Sequence, residues 1–184
     1  MVDYIVPMIK TSRLTLRELK KTDSKEIFDI FSDREVTRYY DVSTMRKLVT
    51  AEKLLVWWEK RIIEKKALRW GITVTSESEK IVGTCGFSEL DLKNKIGELG
   101  IDIVHHHWNQ GIMKEALQAI IDYGFNDLKL NRIETWIMDE NIYSILGAKS
   151  LGLKYEGKSG KIKWQGKYHD KEIFALNRQD YYQK

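Results

Sequence analysis

The ten residues His107-Trp108-Asn109-Gln110-Gly111-Ile112-Met113-Lys114-Glu115-Ala116 constrain this chain more than any other stretch. They stand between an apolar run, Leu99 to Val104, and a strongly amphipathic segment, Ile112 to Leu128. A strand therefore ends in a short polar loop with one glycine, and a helix starts on that glycine. The first turn of a helix leaves its backbone N–H groups without partners and aims a partial positive charge outward, which makes a ready anion site. Gly111 lets an anion approach the backbone where a Cβ would block it. Within the helix, Ile112, Ala116 and Ile120, with Met113, Leu117 and Ile121, form an i, i+4 apolar stripe.

The remaining pattern mixes both periods. Arg13 to Leu19 alternates, with Leu14 and Leu16 inward, as a half-buried strand does. Asp23-x-x-Glu26 resembles a capping box before Ile27, Phe28, Ile30 and Phe31, and Ser32-x-x-Glu35 repeats the signal for a short helix or turn ending near Tyr39-Tyr40. Met45 to Lys65 reads as a longer helix with Leu48, Leu54, Leu55, Trp58 and Ile62 on one face. Leu68–Thr75, Lys80–Leu90 and Ile96–Val104 read as an antiparallel meander, with turns at Ser76-Glu77-Ser78-Glu79 and Lys93-Asn94-Lys95. Arg132–Met138 is a strand and Asn141–Leu151 a helix with Asn141 as N-cap and Gly152 past its end. A hairpin of Tyr155–Ile162 and Glu172–Leu176, joined through Gln165-Gly166-Lys167, closes the chain. Helices inserted among strands imply a single α/β or α+β domain over residues 1–184 rather than a bundle.

Composition narrows the function classes. No run approaches 18 apolar residues, so no membrane span is expected, and Met1-Val2-Asp3-Tyr4 lacks the basic-then-apolar pattern of a secretory signal. The single cysteine, Cys85, excludes an internal disulfide and suits the reducing cytoplasm, where we expect this chain as a monomer or homodimer. A net charge of +4 is too small to argue for nucleic acid. The basic run Lys158, Lys161, Lys163 and Lys167 reads as a solvated hairpin face. His105-His106-His107 cannot all point at one ion from a regular strand, so no metal is expected there; a solvated loop that gains charge on protonation fits better.

Taken in order, several short motifs resemble the Gcn5-related N-acetyltransferase (GNAT) superfamily, and within it the ribosomal-protein-alanine N-acetyltransferases (RimJ/RimL-like). They are Thr11-Ser12-Arg13-Leu14-Thr15-Leu16-Arg17, Lys80-Ile81-Val82-Gly83-Thr84-Cys85-Gly86-Phe87, Gly97-Glu98-Leu99-Gly100, Trp108-x-x-Gly111-x-Met113, Leu130-Asn131-Arg132-Ile133-Glu134, Asn141-x-x-Ser144 and Leu151-Gly152-Leu153. The resemblance implies a mixed, mostly antiparallel sheet of about seven strands flanked by about four helices, splayed between the fourth and fifth strands. It implies acetyl-CoA as co-substrate, its pyrophosphate on Trp108, Asn109, Gln110, Gly111, Ile112, Met113 and Lys114, and its pantetheine arm in the splay. Three positions depart from the superfamily pattern. Trp108 replaces Arg or Gln, Met113 replaces a small residue and implies a looser backbone approach to phosphate, and Ala148 stands where many members carry a tyrosine acid.

The same resemblance implies direct attack of a primary amine on the thioester, most simply a protein N-terminal amine. The oxyanion would be held by N–H groups near Ile103 and Val104. Asn141 would contact the cofactor, and Ser144 would sit near the sulfur and return a proton to the thiolate, although helix capping alone explains both residue types. Tyr143 is the weaker candidate on that turn. Glu98 is the candidate general base, with Asp102 as its substitute on the same strand face; a satisfied strand carboxylate is the bland alternative. One of Trp57 and Trp58 would pack inside while the other roofs the acceptor cleft or sits at a partner surface, with plain packing the bland alternative. Two further functions stay open: acetylation of a small-molecule amine (polyamine, amino sugar or antibiotic), and a non-catalytic acyl-CoA-binding module.

Overall fold

The computed structural model describes residues 6–40, 43–77, 79–164 and 166–183. Ser78 and Gln165 of the two turns named above, and Met1 to Tyr4, lie outside them. The strands are β1 (Ile9–Lys10), β2 (Leu14–Glu18), β3 (Leu68–Val74), β4 (Gly83–Asp91), β5 (Ile96–Ile103), β6 (Arg132–Met138), β7 (Lys154–Trp164) and β8 (Lys167–Asn177). The helices are α1 (Ser24–Ser32), α2 (Leu48–Ile63), α3 (Ile112–Asn126), α4 (Ile142–Ser150) and α5 (Arg178–Tyr182). All eight strands share one sheet, ordered β1-β2-β3-β4-β5-β6-β8-β7. The sheet exceeds the expected seven strands by β1, which is two residues long and carries no periodicity to read.

Neighbouring strands are antiparallel except β5 and β6, which run parallel and pair only at Ile96–Arg132, Gly97–Ile133 and Glu98–Glu134. Beyond Glu98 the two strands part. This is the expected splay; β1 moves it from the fourth and fifth strands to the fifth and sixth. The hairpin strands β7 and β8 are each longer than their apolar stretches suggested, because the outer part of β7 is polar on both faces.

Alternation along the sheet sorts two layers. Leu68, Trp70 and Ile72 of β3 and Leu99 and Ile103 of β5 meet Ile112, Ala116, Ile120 and Phe125 of α3. The intervening residues face α1 and α2, whose Ile27, Ile30, Phe31, Ala51, Leu55 and Trp58 pack over Ile81. Leu48, expected on the inward face of α2, is exposed at its first turn. Asp23 does not cap α1 either. Its carboxylate accepts from Arg17 Nη1 and Nη2 at 2.9 and 2.8 Å and from the Lys20 N–H at 2.7 Å, which ties β2 to the start of α1.

A second carboxylate sets the position of α3. Glu115, in its first turn, accepts from Thr11 Oγ1 (2.6 Å), Ser12 Oγ (2.9 Å), the Arg13 N–H (2.8 Å) and Arg13 Nε (2.7 Å). Partial desolvation pushes this carboxyl up, but the four hydrogen bonds outweigh it and hold the pKa at about 2. A carboxyl lowered in the fold stabilises it fully above its unfolded value of 4.5, and that stabilisation is lost as pH falls towards 2. Glu115→Gln should therefore destabilise the protein at neutral pH, and the gap to the natural chain should close on acidification. Denaturant unfolding of both proteins above pH 4.5 and near pH 2 checks this.

Candidate functional site

The loop between β5 and α3 is built by local hydrogen bonds. His105 to His107 form one tight helical turn, with His107 N–H donating to the Val104 carbonyl and Trp108 N–H to that of His105, both at 3.0 Å. Asn109 (φ 60°) and Gly111 (φ 76°) are left-handed, and Gly111 is the N-cap of α3. The first intrahelical bond is Glu115 N–H to Gly111 C=O at 3.1 Å, so the N–H groups of Ile112, Met113 and Lys114 have no acceptor within the helix. A Cβ on Gly111 would meet only Arg13 Nη2 within 4 Å, at 3.2 Å. The approach to these N–H groups is open, with a guanidinium beside it, and a diphosphate needs both features. A recess of about 430 Å³ lies next to this turn, lined by Ser12, Arg13, Thr75, Gln110 and Ile112 among others.

The triple histidine is not a solvated loop throughout. His107 is buried, with Nε2 3.1 Å from Glu77 Oε2, and His105 packs edge-on against Trp108. Among the described residues no group of three His, Cys, Asp or Glu is placed to hold a metal ion. Cys85 is fully buried, which pushes its thiol up to about 12 and keeps it neutral.

Where β5 leaves β6, alternate residues of β5 turn their backbone groups into the gap. The Val104 N–H donates to Val82 C=O on β4 at 2.9 Å, so by alternation Leu99, Ile101 and Ile103 face the other way. Each of their carbonyls accepts a side chain: Leu99 from Thr135 Oγ1 (3.2 Å), Ile101 from the Tyr40 hydroxyl (3.1 Å) and Ile103 from Trp108 Nε1 (2.8 Å). The N–H groups of Ile101 and Ile103 point into the same gap. This corrects the expectation for Val104, whose N–H is spent on Val82 and whose carbonyl takes His107. Trp108 thus acts as a strut from the loop to β5, which accounts for an indole where the superfamily has Arg or Gln.

Helix α4 borders the other side of the gap. Asn141 Oδ1 accepts the Ser144 N–H at 3.2 Å, so the cap forms, while the Ser144 side chain is half-buried and Tyr143 is exposed. Met113 bridges α3 and α4. Its Cε rests on Gly147, where a Cβ would lie 2.3 Å from it. The large side chain at 113 is therefore matched by a missing one at 147, and Met113 fills the space between helices instead of thickening the phosphate loop.

On the face opposite α3, Glu98 donates nothing and accepts from Ser88 Oγ at 2.8 Å. Burial pushes its pKa up; the Ser88 bond opposes this, while Glu89 and Glu134 add to it. Asp102, the expected substitute base, is instead buried in an ion pair with Arg69 and bonded to Thr84 and Tyr40. Neither adjacent tryptophan roofs the gap. Trp58 is buried beneath Arg69 and against Phe31, and Trp57 lies exposed under Arg61. The aromatic wall on this side is Tyr39 stacked on Trp164 (6.1 Å), with Trp164 edge-on to buried His169. His169 Nδ1 is 3.5 Å from Glu140 Oε1 and 3.8 Å from Asp139 Oδ1. Periodicity gave no sign of this wall, because its residues come from distant segments.

A mixed sheet parted between two parallel strands, with an anion-ready helix start at the parting, defines an acyl-CoA-dependent acyltransferase. The model of the acetyltransferase (GNAT) domain matches residues 13–154, and the chain belongs to this family. It is 36% identical over 172 residues to an N-acetyltransferase of Bacillus licheniformis, spanning 93% of this chain and 96% of that one. Among solved structures it is similar to a GNAT-family acetyltransferase of Bacillus anthracis (TM-score 0.81, 23% identity, 94% and 99% of the two chains). It is also similar to the Vibrio cholerae spermidine N-acetyltransferase in complex with CoA and spermine (TM-score 0.82, 21% identity, 94% and 99%). The protein is an acetyl-CoA-dependent N-acetyltransferase.

Gly111→Ala should weaken CoA binding at least about tenfold, because the new Cβ faces the anion, while the left-handed strain costs only about 1 kcal/mol of stability. Calorimetric titration with CoA, set beside denaturant unfolding, separates the two effects. Ser144→Ala should leave CoA affinity and the Asn141 cap intact, because the cap uses the Ser144 backbone. A turnover number unchanged under conditions where chemistry limits the rate would remove Ser144 from the reaction.

Proposed function

We propose that this enzyme acetylates a protein N-terminal amine in the cytoplasm by direct attack on acetyl-CoA. The observation that carries the direct mechanism is the pairing of two donor sets, at the start of α3 and along β5. The N–H groups of Ile112, Met113 and Lys114, with Arg13 beside them, receive the pyrophosphate. Trp108, Asn109 and Gln110 shape that turn, and the adjoining recess takes the nucleotide end. The pantetheine arm runs into the gap between β5 and β6 towards Asn141 and Ser144. The N–H groups of Ile101 and Ile103 then lie where the thioester oxygen gains charge in the transition state.

The amine enters from the face of α1 and α2. Glu98 sits three residues before Ile101, about 10 Å along the strand, so it takes the amine proton through water. Burial raises its pKa above the ordinary carboxylate value, which makes it a stronger base than an exposed glutamate. The thiolate leaves beside Ser144, whose hydroxyl returns a proton. Buried Cys85, with its thiol held neutral, has no part in this path.

A small polycationic amine is the second acceptor, and a specific feature favours it. Glu98, Glu134, Asp139 and Glu140 bring carboxylates to the acceptor side, where Arg132 is already paired with Glu134 and Glu156. The similar Vibrio cholerae spermidine N-acetyltransferase, solved with CoA and spermine, supports this second reading.

Release of CoA thiol from acetyl-CoA, measured across peptides with varied N-termini, spermidine and simple monoamines, tests the activity and ranks the acceptors. Peptides should outrun the polyamines; the reverse order selects the second acceptor. With one good acceptor, Glu98→Gln should abolish the limb in which rate rises with pH through the raised carboxyl, while CoA affinity stays normal. Retention of both rate and pH profile would exclude Glu98 as the base.

A further inference from the structure

We propose that the Tyr40 hydroxyl is the group that receives the acceptor amine, held for that task by a buried Asp102–Arg69–Thr84 cluster. The assignment rests on the acetyltransferase reading and adds a residue to it. Tyr40 follows the short turn after α1 and reaches across to β5, where its hydroxyl lies 3.1 Å from the Ile101 carbonyl and contacts Asp102 Oδ1. Ile101 is the residue whose backbone opens into the gap between β5 and β6. The phenol oxygen therefore stands at the lip of that gap, on the face of α1 and α2, level with the N–H donors that would hold the thioester oxygen.

The support behind Tyr40 is fixed to an extent that packing alone does not require. Asp102 is 3% exposed and Arg69 6% exposed, and the two form an ion pair. Thr84, fully buried, accepts from Arg69 Nε and Nη2 at 3.0 and 2.8 Å and donates to Asp102 Oδ2 at 3.0 Å. Trp58 covers the guanidinium at 5.1 Å. One Asp102 oxygen is thus consumed by Arg69 and Thr84, and the other faces Tyr40. A buried ion pair stabilises a fold little better than apolar packing would, so its retention here points to what it orients. Phe31 meets the Tyr40 ring edge-on at 6.2 Å and limits its swing.

The hydroxyl has one proton and two acceptors in reach, Asp102 and the Ile101 carbonyl. While the hydroxyl donates its proton to either of them, its oxygen can accept an N–H of the incoming neutral amine. That bond directs the nitrogen lone pair at the thioester carbon across the lip. No proton passes to Tyr40 in this step: nitrogen bonds to carbon, the carbon–sulfur bond breaks, and the amine proton leaves by water towards Glu98. Tyr40 touches the substrate; Asp102, Arg69 and Thr84 act through it as positioning residues.

Tyr40→Phe keeps the ring and its packing and removes only the oxygen. We expect kcat/KM for the amine to fall about tenfold or more with unchanged CoA affinity by calorimetry, and the melting temperature to fall by about a few degrees, because the buried Asp102 oxygen and the Ile101 carbonyl lose a donor. Asp102→Asn should lower the same ratio, and adding it to Tyr40→Phe should lower it little further, since both act on one bond. If Asp102→Asn fails to fold, Thr84→Val takes its place in the cycle. A Tyr40→Phe enzyme within twofold of the natural one overturns the role of Tyr40, and fully additive losses overturn the positioning cluster. A natural enzyme that releases no thiol with any amine overturns the acetyltransferase reading itself and this role with it.

Discussion

The site depends on where the pairing of β5 and β6 stops. Three residue pairs hold the strands together, and past Glu98–Glu134 the backbone of β5 has β4 on one side and no paired strand on the other. An open strand edge inside a sheet leaves carbonyls and N–H groups that must find partners. Here the carbonyls of Leu99, Ile101 and Ile103 take Thr135, Tyr40 and Trp108, drawn from β6, the turn after α1 and the loop before α3. These side chains satisfy the acceptors and also hold the gap open, since any of them would obstruct a continued ladder. By alternation the N–H groups of the same residues turn to the open edge, the arrangement that an added extended segment would use.

The second constraint is the seat of α3. A helix that presents its N-terminus to a diphosphate must not drift, because hydrogen-bond geometry falls away within a few tenths of an ångström. Glu115 supplies the anchor by gathering four donors from Thr11, Ser12 and Arg13. Its charge also draws Arg13 to the phosphate side of the turn, where Nη1 binds the Gln110 carbonyl at 2.9 Å and Nη2 flanks Gly111. An acid in the first turn usually answers the helix dipole; this one answers it sideways and leaves the axial N–H groups clear.

Much of this was legible in the sequence, and the limits follow a rule. Gly111 before the stripe Ile112, Ala116, Ile120 located α3 to within its first residue, and Asn141 three positions before Ser144 located the cap of α4. Those features are local, set by φ and by neighbours within four residues. The misses are contacts across long separations. Asp23 looked like a cap because its spacing to Glu26 was right, but Arg17 competes for the same carboxylate. Asp102 shared the alternation of Glu98 and so looked like a spare base; only the fold brings Arg69 beneath it, 33 residues away. Tyr39 and Trp164 could not be paired from periodicity, whereas Trp57 and Trp58 drew attention by adjacency alone. Met113 looked like a departure, and only packing shows that it exchanges volume with Gly147.

The two carboxylates of β5 show how one strand face yields opposite chemistry. Glu98 and Asp102 point to the same side and both are shielded from water, so desolvation alone would raise both. Burial is the largest influence on Glu98 and keeps its affinity for a proton raised, with Glu89 and Glu134 adding to it and the Ser88 hydroxyl and the charge of Lys171 opposing it. Asp102 is ion-paired with Arg69 and accepts from Thr84 and Tyr40, and these contacts fix its carboxylate as a support. The difference originates in β3 and β4, where Arg69 and Thr84 occupy the positions facing Asp102 while Ser88 faces Glu98. A carboxyl with a raised affinity for a proton and a braced one thus sit four residues apart on one strand, and the side chains of the neighbouring strands decide which is which.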